Sequence, residues 1–466
     1  MGLDGEWWVE DNGRGNIIHG RASSEASLGS ETMTSRNPKT IIDEGVMSLG
    51  QWIAVWVAVG LNSLDGFDVL SISFASPGIA KEWGIDRATL GWVLSMELFG
   101  MALGSVLLGG VSDKVGRRST VLGCLVAMTV GMFGAAHAAS VSDLLAWRLL
   151  TGLGIGGTLA SINAVTAEVS NLRRRNVAMA LMVIGYPIGG VLGGLIVQKL
   201  LTSATWHDIF SFGAWITAAF IPIVWFFVPE SVAFLDRRRP IRALEKINQI
   251  LLRFHHEPVS ALNPLTEQAE KRSVMDILKP GLLGVTLLVT FAYFAHITSF
   301  YFILKWVPKI VVDMGFQPKA AAGVLMWANV GGATGGALFG LLAGRVGLKR
   351  LTICTLLAAS AMIVVFGQSP ASLTALAAIV AVGGLFTNSS VAGLYMLFAE
   401  VFPTHVRATG TGFAIGVGRG GAALAPVLAG YLFQNGLGLS LVAVIMAIGS
   451  LLSAGALMLL RAKPQD

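Results

Sequence analysis

Several ionisable side chains stand inside stretches of sequence that are otherwise apolar. They are Asp65, Asp68, Glu97, Arg148, Lys305 and Arg419. A charge at the centre of a transmembrane helix costs about 2.5–3.5 kcal/mol on insertion scales. Ionisable residues at such positions are therefore expected to have a function. The carboxylates are candidates for carrying protons, and the cations are candidates for binding an anionic substrate.

Asp65 and Asp68 lie three residues apart in the segment NSLDGFDVL (62–70), so on a helix they share one face. Two neighbouring carboxylates in a low dielectric cannot both ionise easily, so the pair favours holding a proton. We therefore expect proton coupling at this pair. The alternative is a buried ion pair with Arg148 that only packs the protein.

Arg148 and Arg419 are permanent cations whose planar guanidinium suits a carboxylate. Arg148 either binds the substrate or holds Asp65 or Asp68, and Arg419 is its expected counterpart in the second half of the chain. Lys305 either pairs with Glu97 or meets a second acidic group on the substrate.

Other polar residues within apolar stretches are weaker candidates for the same site. Asn329 and Tyr186 are expected to line a substrate cavity. His296 is either a hydrogen-bonded packing residue or part of a proton route.

The elements that position these residues are transmembrane helices. Of the 466 residues, 54% are hydrophobic and only 13% are charged, against roughly 25% charged in soluble proteins. Twelve apolar stretches are predicted to cross a membrane, at residues 47–76, 88–110, 119–139, 142–168, 176–198, 206–228, 281–307, 319–343, 350–368, 372–399, 408–433 and 437–460.

These stretches divide the chain into five parts. We predict a disordered cytoplasmic tail (1–46), a six-helix bundle (47–229), a cytoplasmic loop with an amphipathic piece at 241–254 (230–280), a second bundle (281–460) and a short tail (461–466). No apolar run precedes Met47, so no signal peptide is expected. Translation from Met1 or from Met33 is left open.

The basic residues predict the orientation. With these spans, 25 of the 33 lysine and arginine residues fall in the tails and in the loops on the same side, which places both termini in the cytoplasm. The net charge of +6 is therefore a topology signal and does not indicate nucleic-acid binding. We expect a multi-pass protein of the inner membrane.

The two halves repeat each other. SPGIAKEWGI (76–85) aligns with VPKIVVDMGF (307–316) at an offset of 231, which also places Gly100 on Gly331 and Asp65 on His296. Secondary transporters build a central binding site between such repeats. The sequence therefore predicts an all-α membrane protein with two pseudo-symmetric bundles.

The loop after the second span reads GGVSDKVGRR. Its pattern is formed by Gly109, Asp113, Lys114, Gly116, Arg117 and Arg118, and a degraded copy follows the eighth span as GRVGLKR (344–350). This loop resembles the signature of the major facilitator superfamily. The resemblance covers residues 47–460 and implies a twelve-helix fold, with Asp113 in contacts between the two bundles that control conformational switching.

A narrower resemblance rests on the first span, on RLLTGLGIGG with Glu168, and on EVFPTHVRATGTG (400–412) with GVGRGG (416–421). Together these segments resemble the aromatic acid:proton symporter family. The resemblance implies functional roles for Asp65, Asp68, Arg148 and Glu168, and for the two arginines Arg407 and Arg419.

We therefore expect proton-coupled uptake of a small organic carboxylate, most simply a monocyclic aromatic acid, by a monomer in the lipid bilayer. Symport of an aliphatic carboxylate and export are the alternatives. An enzyme would need clustered catalytic or metal-ligand residues, and the seven histidines are scattered. We expect no metal and no cofactor, because the proton gradient supplies the energy and no G-x-x-x-x-G-K-[ST] segment is present for ATP.

Overall fold

A computed structural model describes residues 37–262, 277–403 and 406–460. Its longer elements are all α-helices. They are α1 (Pro38–Glu44), α2 (Leu49–Trp83), α3 (Arg87–Val115), α4 (Arg117–Ala136), α5 (Val141–Val169), α6 (Arg175–Leu200), α7 (Trp206–Phe227), α8 (Val232–Arg238), α9 (Ala243–Arg253), α10 (Pro280–Asp313), α11 (Pro318–Val346), α12 (Leu348–Gly367), α13 (Leu373–Val401), α14 (Arg407–Gln434) and α15 (Leu439–Leu459).

Twelve of these helices, α2–α7 and α10–α15, are long and apolar enough to cross a membrane, which confirms the predicted fold class. Two spans run further than their apolar stretches suggested. The first continues through Pro77 to Trp83, and the seventh continues to Asp313. Hydropathy locates only the apolar part of a helix, whereas the backbone of α2 continues until Gly84 adopts a left-handed conformation with φ of 59°.

The structure differs from the predicted tail just before the first span. Residues 38–44 form α1, whose first turn is capped by the Asn37 side chain. The carboxylate of Asp43 pairs with Arg175, and the amide of Asn171 donates to the Gly45 carbonyl at 2.7 Å. Polar composition concealed this short helix because it is held by tertiary contacts. Residues 1–36 and 461–466 lie outside the described residues.

Each bundle is held by close helix pairs. In the first, a Cβ at Gly100 would lie 2.4 Å from the Leu149 carbonyl of α5, and in the second, a Cβ at Gly331 would lie 1.8 Å from the Ala381 carbonyl of α13. Only glycine permits two backbones to approach this closely. Such close packing holds membrane helices together, because lipid removes the hydrophobic driving force between them. The GLGIGG segment (152–157) is a packing surface of α5, because a Cβ at Gly152 would lie 2.1 Å from the Glu97 carbonyl of α3.

The two bundles meet through α3 against α14 and through α6 against α11. We call the end of the molecule that carries the α3–α4 connection the loop face, and the opposite end the far face. At the far face, Arg87 pairs with Asp313 at 3.3 Å, and its backbone N–H donates to Gln434. Gly91 of α3 also lies against the Pro426 carbonyl of α14. The bundles are closed at the far face.

The bundles are apart at the loop face. Arg419 still touches α3, because it donates to the Met101 carbonyl at 3.1 Å. Nearer the loop face on the same helix, Gly412 and Gly416 are exposed, and a Cβ at either would meet open space. The central site is therefore approached from the loop face.

Candidate functional site

Three ionisable side chains form a cluster between the bundles, which we call the ion cluster: Glu97 of α3, Arg148 of α5 and Lys305 of α10. The Oε2 atom of Glu97 pairs with the Arg148 guanidinium and lies 3.6 Å from the Lys305 ammonium. All three side chains have no exposed surface. One carboxylate thus joins a cation from its own bundle to a cation from the other bundle.

Arg148 has no side-chain contact with either aspartate, although the sequence allowed one. Its guanidinium donates to the main-chain carbonyl of Asp68 at 3.1 Å and to the sulfur of Met132 at 3.1 Å, and it lies over the Phe210 ring. The carboxylate that pairs with Arg148 is that of Glu97. For Lys305, the structure selects the partnership with Glu97, and its ammonium also donates to the Val69 carbonyl of α2.

Asp65 and Asp68 are both buried on one face of α2. Neither carboxylate accepts a hydrogen bond from any residue that the structure describes. Among the described residues, no donor is placed to stabilise a charge on either carboxylate. The geometry suits side chains that take up and release protons, and the coupling role remains a prediction.

Arg419 is the cation of the site that has no carboxylate partner within 4 Å among the described residues. It is half-buried, it faces the region open to the loop face, and Asp65 is close enough to interact with it electrostatically. An incoming carboxylate would find this guanidinium available, whereas that of Arg148 is already neutralised.

Tyr293 and Tyr301 are close enough to Arg419 to interact with it electrostatically, and Tyr395 and Tyr186 adjoin these two tyrosines. The hydroxyls of Tyr293 and Tyr395 are 2.9 Å apart, and their ring centroids are 5.5 Å apart. Tyr301 lies beside both Arg419 and Tyr186. We call these four residues the tyrosine group. It places aromatic rings and hydroxyls near a guanidinium that has no carboxylate partner among the described residues.

Two further candidates inside the spans make their contacts with other residues. Asn329 sits where α11 meets α6, with its amide against Gly190. The ring nitrogens of His296 bind within the second bundle, to the Ser450 hydroxyl at 2.9 Å and the Thr387 carbonyl at 3.0 Å. Both nitrogens are satisfied, which is the packing arrangement that the sequence analysis gave as one alternative.

The signature loop is held by its own bundle and by α8 of the central loop. Asp113 pairs with Arg117 at 2.6 Å and with Arg237 at 3.8 Å, and its carbonyl accepts from Arg238. The expected contact of Asp113 with the second bundle is absent among the described residues. The reason is the separation of the bundles at the loop face, which leaves the Asp113 side chain 55% exposed.

Gly116 and Glu230 shape the turn between α3 and α4. Gly116 has φ of 112°, and a Cβ there would lie 2.4 Å from the Glu230 carboxylate. That carboxylate accepts hydrogen bonds from the backbone N–H groups of Arg117 and Arg118, at 2.7 and 3.3 Å, and so caps α4. The glycine belongs to the signature pattern, whereas Glu230 lies 114 residues further along the chain and no motif marks it.

The other loop-face candidates surround this turn or its repeat. Glu168 lies 3.6 Å from Arg117, so it belongs with the signature loop and is separate from the aspartates. Lys114 is exposed and Gly109 lies on α3 near Ala160. In the second half, Arg407 begins α14 and donates to the Phe402 carbonyl at 3.3 Å.

Sequence reasoning also missed three members of the tyrosine group, Tyr293, Tyr301 and Tyr395, and the Arg87–Asp313 pair. For Tyr293 and Tyr301, the sequence does contain a usable signal. Tyr293, Tyr301 and Lys305 follow one another at eight and four residues, so they share a face of α10. Tyr395 gave no such signal, because it comes from a different helix.

Comparison with known proteins identifies the type of protein. Residues 55–351 match the model of the Major Facilitator Superfamily. A 4-hydroxybenzoate transporter, PcaK, of Acinetobacter baylyi is 28% identical, with 86% of this chain and 89% of that protein covered. A gallate transporter of Pseudomonas putida is 26% identical (90% and 94% covered), and a benzoate transport protein of Acinetobacter baylyi is 27% identical (88% and 91% covered).

Solved structures share the fold. The D-xylose-proton symporter superposes with a TM-score of 0.66 at 17% identity, covering 86% of this chain and 97% of its own. The xylose transporter XylE from E. coli, in an inward open conformation, gives 0.66 at 18% identity, with 88% and 96% covered. At this identity the likeness concerns the fold alone.

Proposed function

Because this chain belongs to the major facilitator superfamily, we propose that it moves a monocyclic aromatic acid across the inner membrane together with protons. The chain is a transporter and not an enzyme. We propose uptake by a monomer with both termini in the cytoplasm, so that the loop face is the cytoplasmic face. The relatives named for 4-hydroxybenzoate, gallate and benzoate support this substrate class.

The observation that carries the proposal is the surroundings of Arg419. A substrate carboxylate buried without a cation would lose several kcal/mol. Arg419 can supply that cation because no described carboxylate is paired with it. The tyrosine group supplies aromatic surface near it. Aromatic rings pair favourably by about 0.5–1.5 kcal/mol beyond the area that they bury. This favours an aromatic acid over the aliphatic alternative.

Proton coupling is proposed from the aspartates. Asp65 lies near Arg419, and its burial without a hydrogen-bond donor makes protonation easy when the substrate neutralises that arginine. Asp68 adds a second carboxylate on the same helix face. A substrate anion and a proton would then enter the site without adding net charge, and the proton gradient would supply the energy without a cofactor.

Alternating access requires the two faces to open in turn. The contacts of Arg87 would break when the far face opens, and the loop face would close around Gly412 and Gly416. Substrate released from Arg419 in the conformation described here would leave through the loop face.

The test is uptake of radiolabelled acids by cells that express the protein, with and without a protonophore. We expect accumulation of 4-hydroxybenzoate or benzoate, loss of accumulation with the protonophore, and little uptake of an aliphatic acid such as succinate. Equal uptake of succinate would contradict the aromatic assignment. Lower accumulation in expressing cells than in control cells would indicate export.

A further inference from the structure

Glu97 occupies the place in which a second substrate carboxylate would bind. Its Oε2 atom contacts the Arg148 guanidinium and lies 3.6 Å from the Lys305 ammonium, and none of the three side chains is exposed. A pair of cations facing each other across two bundles is a strong anion site. In this chain the anion is part of α3.

The ion cluster continues the site that begins at Arg419. Tyr301 interacts with Arg419 at one end and is also influenced by the charge of Glu97. Lys305 follows Tyr301 by one helical turn on α10, which is about 6 Å along the helix axis. Arg419 also donates to the Met101 carbonyl, and Glu97 lies one helical turn before Met101 on α3. A ring bound by its carboxylate at Arg419 would therefore direct its other end towards Glu97.

We propose that Glu97 is a specificity-determining residue: it acts as a resident carboxylate that restricts the site to aromatic acids with one carboxylate. The proposal rests on the proposed function, because it concerns the far end of the same ligand. A second carboxylate on the ring would face the charge of Glu97 and would compete with it for the two nearby cations, with which Glu97 is already paired. A hydroxyl at that position would instead donate a hydrogen bond.

The size of the effect follows from electrostatics. Like charges that are juxtaposed in an interface cost several kcal/mol, and a site gains specificity from such repulsion as well as from attraction. Removing the charge of Glu97 should favour a second carboxylate, because the repulsion by Glu97 would be lost and Arg148 and Lys305 would both be left without their partner. Glutamine keeps the size of the side chain and removes the charge.

The experiment measures binding of 4-hydroxybenzoate and of benzene-1,4-dicarboxylate to the purified full-length protein by calorimetry. The wild type should bind the monocarboxylate at least about tenfold more tightly, which is 1.4 kcal/mol. Glu97→Gln should shift this ratio by at least about tenfold towards the dicarboxylate. The double variant Glu97→Gln/Lys305→Met, in which one charge of each sign is removed, should lose that gain. Glu82→Gln, at the far face, should leave the ratio unchanged.

The outcomes separate the two proposals. If the wild type binds no aromatic acid, the proposed function fails. If it binds 4-hydroxybenzoate and benzene-1,4-dicarboxylate equally well, the role of Glu97 alone is wrong, and this result does not depend on the folding of any variant. An unchanged ratio in folded Glu97→Gln, or a gain that survives Lys305→Met, would also overturn it.

Discussion

The guanidinium of Arg87, at the start of α3, lies 3.3 Å from the carboxylate of Asp313, at the end of α10. The pair joins the two bundles at the far face, and both side chains are partly exposed, by 45% and 32%. Asp313 is also held by Lys309, one turn earlier on its own helix. The far face is thus closed by a contact that can break at low cost.

Arg87→Ala should shift the population towards conformations open at the far face. An exposed ion pair contributes about 0–1 kcal/mol, so we expect a change of a few-fold. Spin labels at Lys81→Cys and Lys319→Cys, in a Cys354→Ser background, would report the separation of the bundles, because both positions are exposed at this face. Lys309→Ala is the control, since it removes a contact within α10 only. An identical distance distribution for Arg87→Ala and the wild type would count against this role.

Asp68→Asn should abolish accumulation against a gradient and leave downhill exchange intact. The carboxylate is buried with no donor among the described residues, and asparagine keeps its shape without carrying a proton. Proteoliposomes with an imposed pH gradient provide the measurement. Glu245→Gln, an exposed residue of α9, serves as the control. Full uphill transport by Asp68→Asn would remove this aspartate from the coupling mechanism.

Arg419→Ala should weaken binding of an aromatic acid by about a hundredfold, because a buried carboxylate without a partner costs several kcal/mol. Arg419→Lys should recover only part of the loss in affinity, since an ammonium cannot bind a carboxylate through two parallel N–H donors as the planar guanidinium does. Calorimetry on the purified variants would show both effects, with Arg253→Ala on α9 as the matched control. Wild-type affinity in Arg419→Ala would place the carboxylate elsewhere in the site.

Arg148→Lys should lose most uptake, by about tenfold or more, although the charge is retained. The guanidinium contacts Glu97, the Asp68 carbonyl and the Met132 sulfur together, and a lysine cannot reach all three. The melting temperature should fall as well, because a lysine at position 148 would bind the Glu97 carboxylate less well than the arginine does. Transport and thermal stability should therefore be measured on the same preparation. If uptake and the melting temperature are both unchanged in Arg148→Lys, the planar geometry of the guanidinium is unimportant.

Asp113→Ala should slow transport while the melting temperature changes little. The Asp113 side chain is 55% exposed, although that of Arg117 is only 12% exposed, so loss of its ion pairs with Arg117 and Arg237 costs about 1 kcal/mol in the conformation described here. The resemblance to the superfamily assigns this residue to closure of the loop face, so the spin-label pair at the far face should report more of the closed conformation. An unchanged transport rate would contradict this assignment.

Much of the architecture was predictable from the sequence because it depends on local properties. Apolar stretches of about 20 residues define the spans, and the offset of 231 defines the two halves. The spacing of Asp65 and Asp68 placed both on one helix face, and burial of both was expected from the apolar residues around them. The signature loop identified the superfamily that the family model then confirmed.

The partners of these residues were decided only by the tertiary structure. Glu97 lies 51 residues before Arg148 and 208 before Lys305, and no periodicity relates the three helices. The sequence therefore allowed Arg148 an aspartate partner, whereas the packing of α3 against α5 and α10 brought Glu97 to it. The tyrosine group likewise forms from α6, α10 and α13. Helical periodicity fixes which face a residue is on, but the packing of helices fixes what that face meets.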